Sequence, residues 1–559
     1  MKKDRAKRSE NHWIRKIIIG LISLGITVLV FKIAPDYKRN DITDRTNLII
    51  NNNNITENLK EDIFISEDGI IYLSEKDIEN FFDNYIYYDE MYDQIITTSD
   101  TKVAVLPIGK HEITINGTTQ RILGSATKIE NTFYLPFSEM NNVYNIEVEY
   151  IEDTDRIIVT SLDRKLEKAD IAKNVNVKWK NKTLSRTVDK IKKGEKIVVI
   201  STDENGWAKI RTNNGFIGYV KENNIANRTI VREKLENSTR LDGKVSLVWD
   251  YYSEYVSAPD RSGETIEGVN VVSPSFFILE RLGKGKINDN ANSGGEQYVN
   301  WAKENGYKVW AMFSNDSMIE TTHEILNDYK LREKTIENLL TLAIKYKVDG
   351  INLDFENMYE DDKDLYTRFV VELYPRLKEY GMSLSVDVTA PDGSSTWSLC
   401  YDRYNISRNC DYIIFMAYDQ YGTSSTTAGT TAGYDWVKLN LEKFLRDIES
   451  DKIILGIPLY TRTWLQDGQE DIPYVVDMND IEEVLPNDAE IVWKEDVKQH
   501  YTEYQKNGNT YKMWIEDEAS ISEKLNLATE NDLAGVAFWE KDRETEEIWQ
   551  LVKEKILGE

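Results

Sequence analysis

The chain has 559 residues, 41% of them apolar and 11% aromatic, too long for one core and apolar enough for several folded domains. A net charge of −27 repels polyanions and argues against nucleic acid as a partner. Two cysteines, Cys400 and Cys410, cannot build a disulfide framework, although a single bridge between them stays open; four scattered histidines offer no metal-ligand spacing, and no metal or organic cofactor is expected.

In chain order, the first sixteen residues carry seven Lys/Arg and are followed by the uncharged run Ile17 to Phe31. That run is shorter than the roughly 20 residues a membrane span needs. Trp13, Ile14, Ile33 and Ala34 lengthen it, and Arg15, Lys16 and Lys32 can snorkel. No small-x-small cleavage site follows. These features predict a transmembrane helix within residues 1–34 that meets the membrane through residues 17–34. The positive-inside rule then places the N-terminus in the cytoplasm and residues 35–559 outside it.

Residues 35–62 are polar and Asn-rich ("NLIINNNNITENLKED") and read as a linker. Residues 63–165 contain an internal repeat. Tyr72 to Ser99 and Tyr134 to Ser161 each run 28 residues, from a short strand to an Ile-Ile-x-Thr-Ser strand. Tyr88 matches Tyr150 across the repeat, and Asp93 matches Asp155. The pattern is similar to the paired repeats of the copper amine oxidase N-terminal-like stalk module, which implies an α+β spacer or wall contact. His111 is the sole histidine of this region, so no copper chemistry is attached to the resemblance.

Residues 173–228 switch to five short candidate strands separated by KKGE, ENGW and NNG. "GEKIVVISTDENGWAKIRTNNGFIGYV" resembles bacterial SH3-like domains, small β-barrels that often bind wall peptides. A contact with a wall peptide is therefore implied, while Trp207 itself reads more as core than as a ligand platform.

From residue 243 to 559, eight apolar strand candidates begin near Lys244, Asn270, Tyr307, Val348, Met382, Asp411, Lys452 and Leu533. Helical-period stretches such as "LREKTIENLLTLAIKY" separate most of them. Eight strands alternating with helices predict an α/β fold, a (β/α)₈ TIM barrel. The gap between strands seven and eight is too long for one helix and should hold an insertion carrying Trp493 and Trp514.

The fourth candidate strand reads "VDGINLDFENM". Alternation along a strand separates Ile351, Leu353 and Phe355 from Asn352, Asp354 and Glu356. On a one-sided antiparallel strand that pattern would mean only a wet face. In a barrel, the apolar set suits the helix-facing layer, and the amide and carboxyls point inward, toward the C-terminal mouth where this fold keeps its chemistry.

Here the sequence resembles family 18 glycoside hydrolases, the chitinase-like enzymes. "DGINLDFE" maps onto their D-x-x-D-x-D-x-E signature through Asp349, Asn352, Asp354 and Glu356. "FMAYDQ" supplies Met416, Tyr418 and Asp419; "GIPLYTR" supplies Tyr460 and Arg462; "GVAFWE" supplies Trp539. Two departures stand out: Asn352 replaces the second Asp, and "VWAMFSND" lacks the chitinase S-x-G-G. Both are similar to the branch of bacterial spore cortex-lytic N-acetylglucosaminidases, which act on peptidoglycan. The resemblance implies Glu356 as acid/base, Asp354 as partner of the substrate acetamido group and Tyr418 as its hydrogen-bond donor. It implies Asn352, Met416, Asp419, Tyr460, Arg462 and Trp539 as substrate-binding residues, with peptidoglycan or a related N-acetylglucosamine polymer as partner. Chitin as substrate, a glycan-binding protein on an inactive barrel, and a purely structural wall tether are the alternatives.

Overall fold

A computed structural model describes residues 45–558 apart from 236–237, 254–255, 282 and 469. The helix expected within residues 1–34 lies outside the described residues. Among those that are described, no helix is long and apolar enough to cross a membrane. The longest, Tyr329–Tyr346, interleaves Lys, Arg and Glu with its apolar positions and lies against the barrel. The expected single-pass membrane localisation is corrected accordingly, for the structure provides no span to support it.

The chain divides into two compact units, one of residues up to 97 and 104–237, the other of residues 98–103 and 238–559. In the first unit, Leu48, Leu73, Ile95, Leu106, Leu135 and Ile157 share one core. Both halves of the repeat run strand, helix, hairpin: Ile71–Ser74, Glu75–Phe81, then Tyr87–Asp89 with Gln94–Thr98; and Thr132–Leu135, Asn141–Tyr144, then Ile146–Ile151 with Arg156–Ser161. The matched pairs make the same hydrogen bond, Tyr88 Oη to Asp93 at 2.8 Å and Tyr150 Oη to Asp155 at 3.0 Å.

Residues 47–50, inside the stretch expected to be a linker, instead form the buried strand Asn47–Ile50, parallel to Arg156–Val159. The Asn run was misleading because its chemistry is that of a tight turn. Asn51 and Asn52 take φ of 47° and 67°, left-handed values that asparagine tolerates, and turn the chain into Asn53–Asn54. The SH3-like sheet also reaches beyond residues 173–228: Leu166–Ile171 and Ile225–Arg232 pair within it. Trp207 is buried there.

The second unit is the barrel. Its strands are β1 (Val245–Asp250), β2 (Val271–Pro274), β3 (Lys308–Ser314), β4 (Gly350–Asp354), β5 (Ser383–Val388), β6 (Tyr412–Met416), β7 (Ile453–Pro458) and β8 (Gly535–Trp539). Each pairs in parallel with the next, and β8 closes on β1. Two apolar clusters confirm the alternation of faces. Ile351, Leu353 and Phe355 join the outer layer with the helices. The interior holds Leu247, Trp249, Trp310, Met312, Tyr412, Ile414 and Ala537.

Helix Tyr329–Tyr346 starts where the Asp328 side chain accepts from the Lys330 and Leu331 amides. It is tied to helix Lys363–Lys378 by the buried Arg332–Glu372 pair, 2.8 Å apart. Cys400 and Cys410 are buried and free, so the open bridge is not formed; both pack as small apolar groups in the outer layer. Between β7 and β8 lies a five-stranded antiparallel sheet in which Ile491–Lys494 carries Trp493 and Asn509–Ile515 carries Trp514.

Gly535 opens β8 where a Cβ would collide with the Val245 carbonyl of β1. Backbone on both sides leaves nothing free to move. Gly535→Ala is expected to lower the stability of the barrel by about 1–3 kcal/mol or more, read as the shift of its thermal or urea unfolding transition.

Candidate active site

The C-terminal mouth of the barrel gathers the inward residues of β4 and its neighbours. Asp354 is the last residue of β4, and Glu356 lies two residues beyond it. A clamp holds the Glu356 backbone: its N–H donates to Asn315 Oδ1 at 2.9 Å, and Asn315 Nδ2 donates to its carbonyl at 2.8 Å. Asn315 is itself fully buried and anchored to Thr322 at 2.9 Å. Tyr401 donates to the Phe355 carbonyl at 2.8 Å, so the turn that aims Glu356 is fixed on both sides.

Asn352 is buried at the centre of a polar network. Trp249 Nε1 donates to its Oδ1 at 2.7 Å and Ser273 Oγ at 3.2 Å. Its Nδ2 donates to Ser385 Oγ at 3.0 Å and to Asp387 Oδ1 at 2.7 Å. Asp354 Oδ1 is buried without a hydrogen-bond partner among the described residues.

Burial sets the proton affinities. It raises Asp354 to about 6, with a hydrogen bond to Glu356 acting the other way. Burial pushes Glu356 well above the usual carboxylate range, and the charges of Asp354 and Asp419 push it further. Asp387 is raised well above its ordinary value by burial and then by the charge of Asp354. Tyr418 is raised by burial and by Asp387 and Glu356, which places it in the same electrostatic neighbourhood. One protonated acid beside one ionisable carboxyl is the arrangement that acid catalysis on a glycosidic oxygen requires.

The other predicted residues fall around this centre. Met416 is buried at the end of β6, and Tyr418 and Asp419 follow it in the loop. Gly456 on β7 leaves room for the Tyr418 ring. Tyr460 and Arg462, expected on strand seven, lie instead on Tyr460–Asp467, the first strand of the insertion, because β7 ends at Pro458. Both side chains converge on Asp419 Oδ1. Trp539 ends β8, half-buried, with Trp249 edge-on at 5.7 Å and Tyr251 at 5.9 Å. Asp349 of the signature is not part of the mouth. It precedes β4 and accepts from Lys308 Nζ at 3.0 Å and the Val309 amide at 3.1 Å, joining β3 to β4 at the opposite end.

Four members of the site escaped the sequence reading: Asp387, Trp249, Ser273 and Asn315. For Asp387 a signal existed, since a carboxyl inside the apolar strand "SLSVDV" has the same inward parity as Ser385. Asn315 acts on backbone atoms, which leaves no pattern. Asn315→Ala is expected to leave the Glu356 amide unpaired and to destabilise the chain by about 1–3 kcal/mol, measured by chemical denaturation.

Residues 244–544 match the model of Glycosyl hydrolases family 18, and residues 173–226 match that of the bacterial SH3 domain. Relatives include an uncharacterized glycosylase of Bacillus subtilis, YvbX, 25% identical over 297 residues that cover 51% of this chain and 84% of the relative. The cortical fragment-lytic enzyme of Bacillus anthracis is 25% identical over 242 residues, 42% of this chain and 56% of the relative. Among solved structures, the Bacillus cereus spore cortex-lytic enzyme SleL shares the fold with a TM-score of 0.50 at 18% identity, over 66% of this chain and 90% of that one. The family match covers more than half of the chain and spans the barrel that carries the carboxyl cluster; the chain belongs to glycosyl hydrolase family 18 and is a glycosidase.

Proposed function

We propose that the barrel cleaves β-1,4 bonds at N-acetylglucosamine in peptidoglycan, with retention of configuration and with the substrate's own acetamido group as nucleophile. The observation that carries this reading is Glu356, whose proton is held by burial and by neighbouring negative charge, beside Asp354 with an unpartnered buried oxygen. Glu356 gives its proton to the leaving glycosidic oxygen as that bond breaks. The acetamido carbonyl oxygen meanwhile bonds to the anomeric carbon, forming an oxazolinium ion. Asp354 Oδ1 accepts the acetamido N–H and its charge stabilises the ion; Tyr418 donates to the acetamido oxygen. Glu356, now ionised, takes a proton from water as the water oxygen attacks the anomeric carbon from the leaving-group face, and the ring reopens. Trp539 forms the apolar floor under the sugar, with Met416, Asp419, Tyr460 and Arg462 lining the binding site.

Peptidoglycan is favoured over chitin by Asn352, by relatives named for cortical fragment lysis, and by the bacterial SH3 domain, which we assign to a wall-peptide contact. The stalk module is assigned a spacer role.

In the full chain, Glu356→Gln is expected to reduce release of N-acetylglucosamine reducing ends from purified peptidoglycan by about 10²- to 10⁴-fold. Release at the wild-type rate would refute the assignment, and faster turnover of soluble chitin oligomers than of peptidoglycan would overturn the substrate. Because Asp354 must be ionised, activity should fall as pH drops through about 6. Because Glu356 must be protonated, activity should also fall as pH rises through its elevated pKa. A kcat/KM profile without the acid limb would contradict the role of Asp354.

A further inference from the structure

The signature of the family puts a second acid at position 352, and this chain has an amide there. The structure shows where an acid stands in its place. Asn352 Oδ1 already accepts from Trp249 and Ser273, so its orientation is decided and its Nδ2 must face β5. There it donates to Asp387 Oδ1 at 2.7 Å. Asp387 is 1% exposed, and among the described residues none of Asp354, Glu356 and Asp387 is paired with a Lys or Arg. Two buried carboxyls and the half-buried Glu356, coupled through their charges and without a cation, lose their protons in turn, and the protons they keep belong to the group as a whole.

We propose that Asp387 is a positioning residue that replaces the carboxyl missing from position 352: the second acid sits one strand away, on β5, and is joined to the β4 acids through the Asn352 amide. This rests on the roles given above to Asp354 and Glu356. While Asp387 keeps its proton, Asp354 is the anion that faces the substrate. When Asp387 ionises, its charge makes Glu356 hold its proton to higher pH. The groups that act on Asp387 are known from each element packed around it. They are Asp354 and Glu356 at the end of β4 and its hydrogen-bonding neighbours Asn352 and Trp249, while Asp387 acts in turn on Tyr366 of helix Lys363–Lys378 and on Tyr418 after β6.

The test exchanges charge between the two positions in the full chain and reads pH profiles of kcat/KM. Asp387→Asn keeps the shape and removes a charge that, in the wild type, appears only after Asp354 has ionised and then bears on Glu356. Glu356 then loses its proton more readily, so the alkaline limb moves to lower pH, by on the order of one unit, while the acid limb stays in place. Asn352→Asp adds a carboxyl and moves both limbs upward. The exchange variant N352D/D387N keeps one acid and one amide and brings both limbs back toward their wild-type positions. A purely structural Asp387 would lower the rate without moving either limb, and that result, in a variant with wild-type melting, overturns the proposal.

Infrared titration of the protonated-carboxyl stretch reads the same group without turnover. Asp387→Asn should remove one buried protonated-carboxyl band and leave the midpoint of Asp354 in place. An unchanged set of protonated-carboxyl bands also overturns the proposal. Hydrolysis by Glu356→Gln would sink the functional reading instead, while the infrared result still decides the place of Asp387.

Discussion

Exclusion of water from the barrel interior is the constraint on which the site depends. A carboxyl in water ionises near pH 4 and is a poor acid catalyst at neutral pH. The same group buried in the barrel, as Asp354 and Asp387 are, ionises only when something nearby compensates the lost hydration. Here the compensation is partial. The hydrogen bonds that reach the acids come from neutral donors, and the charge of Asp354 raises Glu356 and Asp387 rather than relieving them. The outcome is an ordering of proton losses instead of three equivalent anions.

Fixed geometry turns that ordering into chemistry. Each acid is held through its own strand or backbone: Asp354 by the end of β4, Glu356 by the Asn315 clamp, Asp387 by β5 and the Asn352 amide. The amide matters because it is satisfied on all sides. Two donors occupy its oxygen and two acceptors its nitrogen, so it cannot turn over without leaving buried groups unpaired. A network of that kind specifies one arrangement.

The insertion contributes to the same site from outside the barrel. Tyr460 and Arg462 stand on its first strand and gather on Asp419, whose charge acts on Glu356. The loop after β6 and the sheet between β7 and β8 are thereby connected to the proton balance at the mouth, while Trp539, with Trp249 and Tyr251 beside it, closes the apolar side.

Much of this was legible in the order of residues. Eight apolar segments with helical periods between them declared the barrel, since period and length are local properties. The parity of Asn352, Asp354 and Glu356 assigned them to the interior once the barrel was recognised, because side chains on a strand alternate whatever surrounds them. Local pattern failed where a residue's meaning lies in a distant partner. The Asn run near residue 50 resembled a linker, yet its turn delivers a strand to Arg156–Val159, about a hundred positions away. Asp387 gave the same local signal as any polar residue in a buried strand, and Asn315 gave none. Only closure of the sheet brings β1, β2, β4 and β5 around one amide and makes a lone aspartate the neighbour of two others. The sequence by itself determined which residues face inward; tertiary structure decided which of them share a proton, because desolvation and charge act through space and not along the chain.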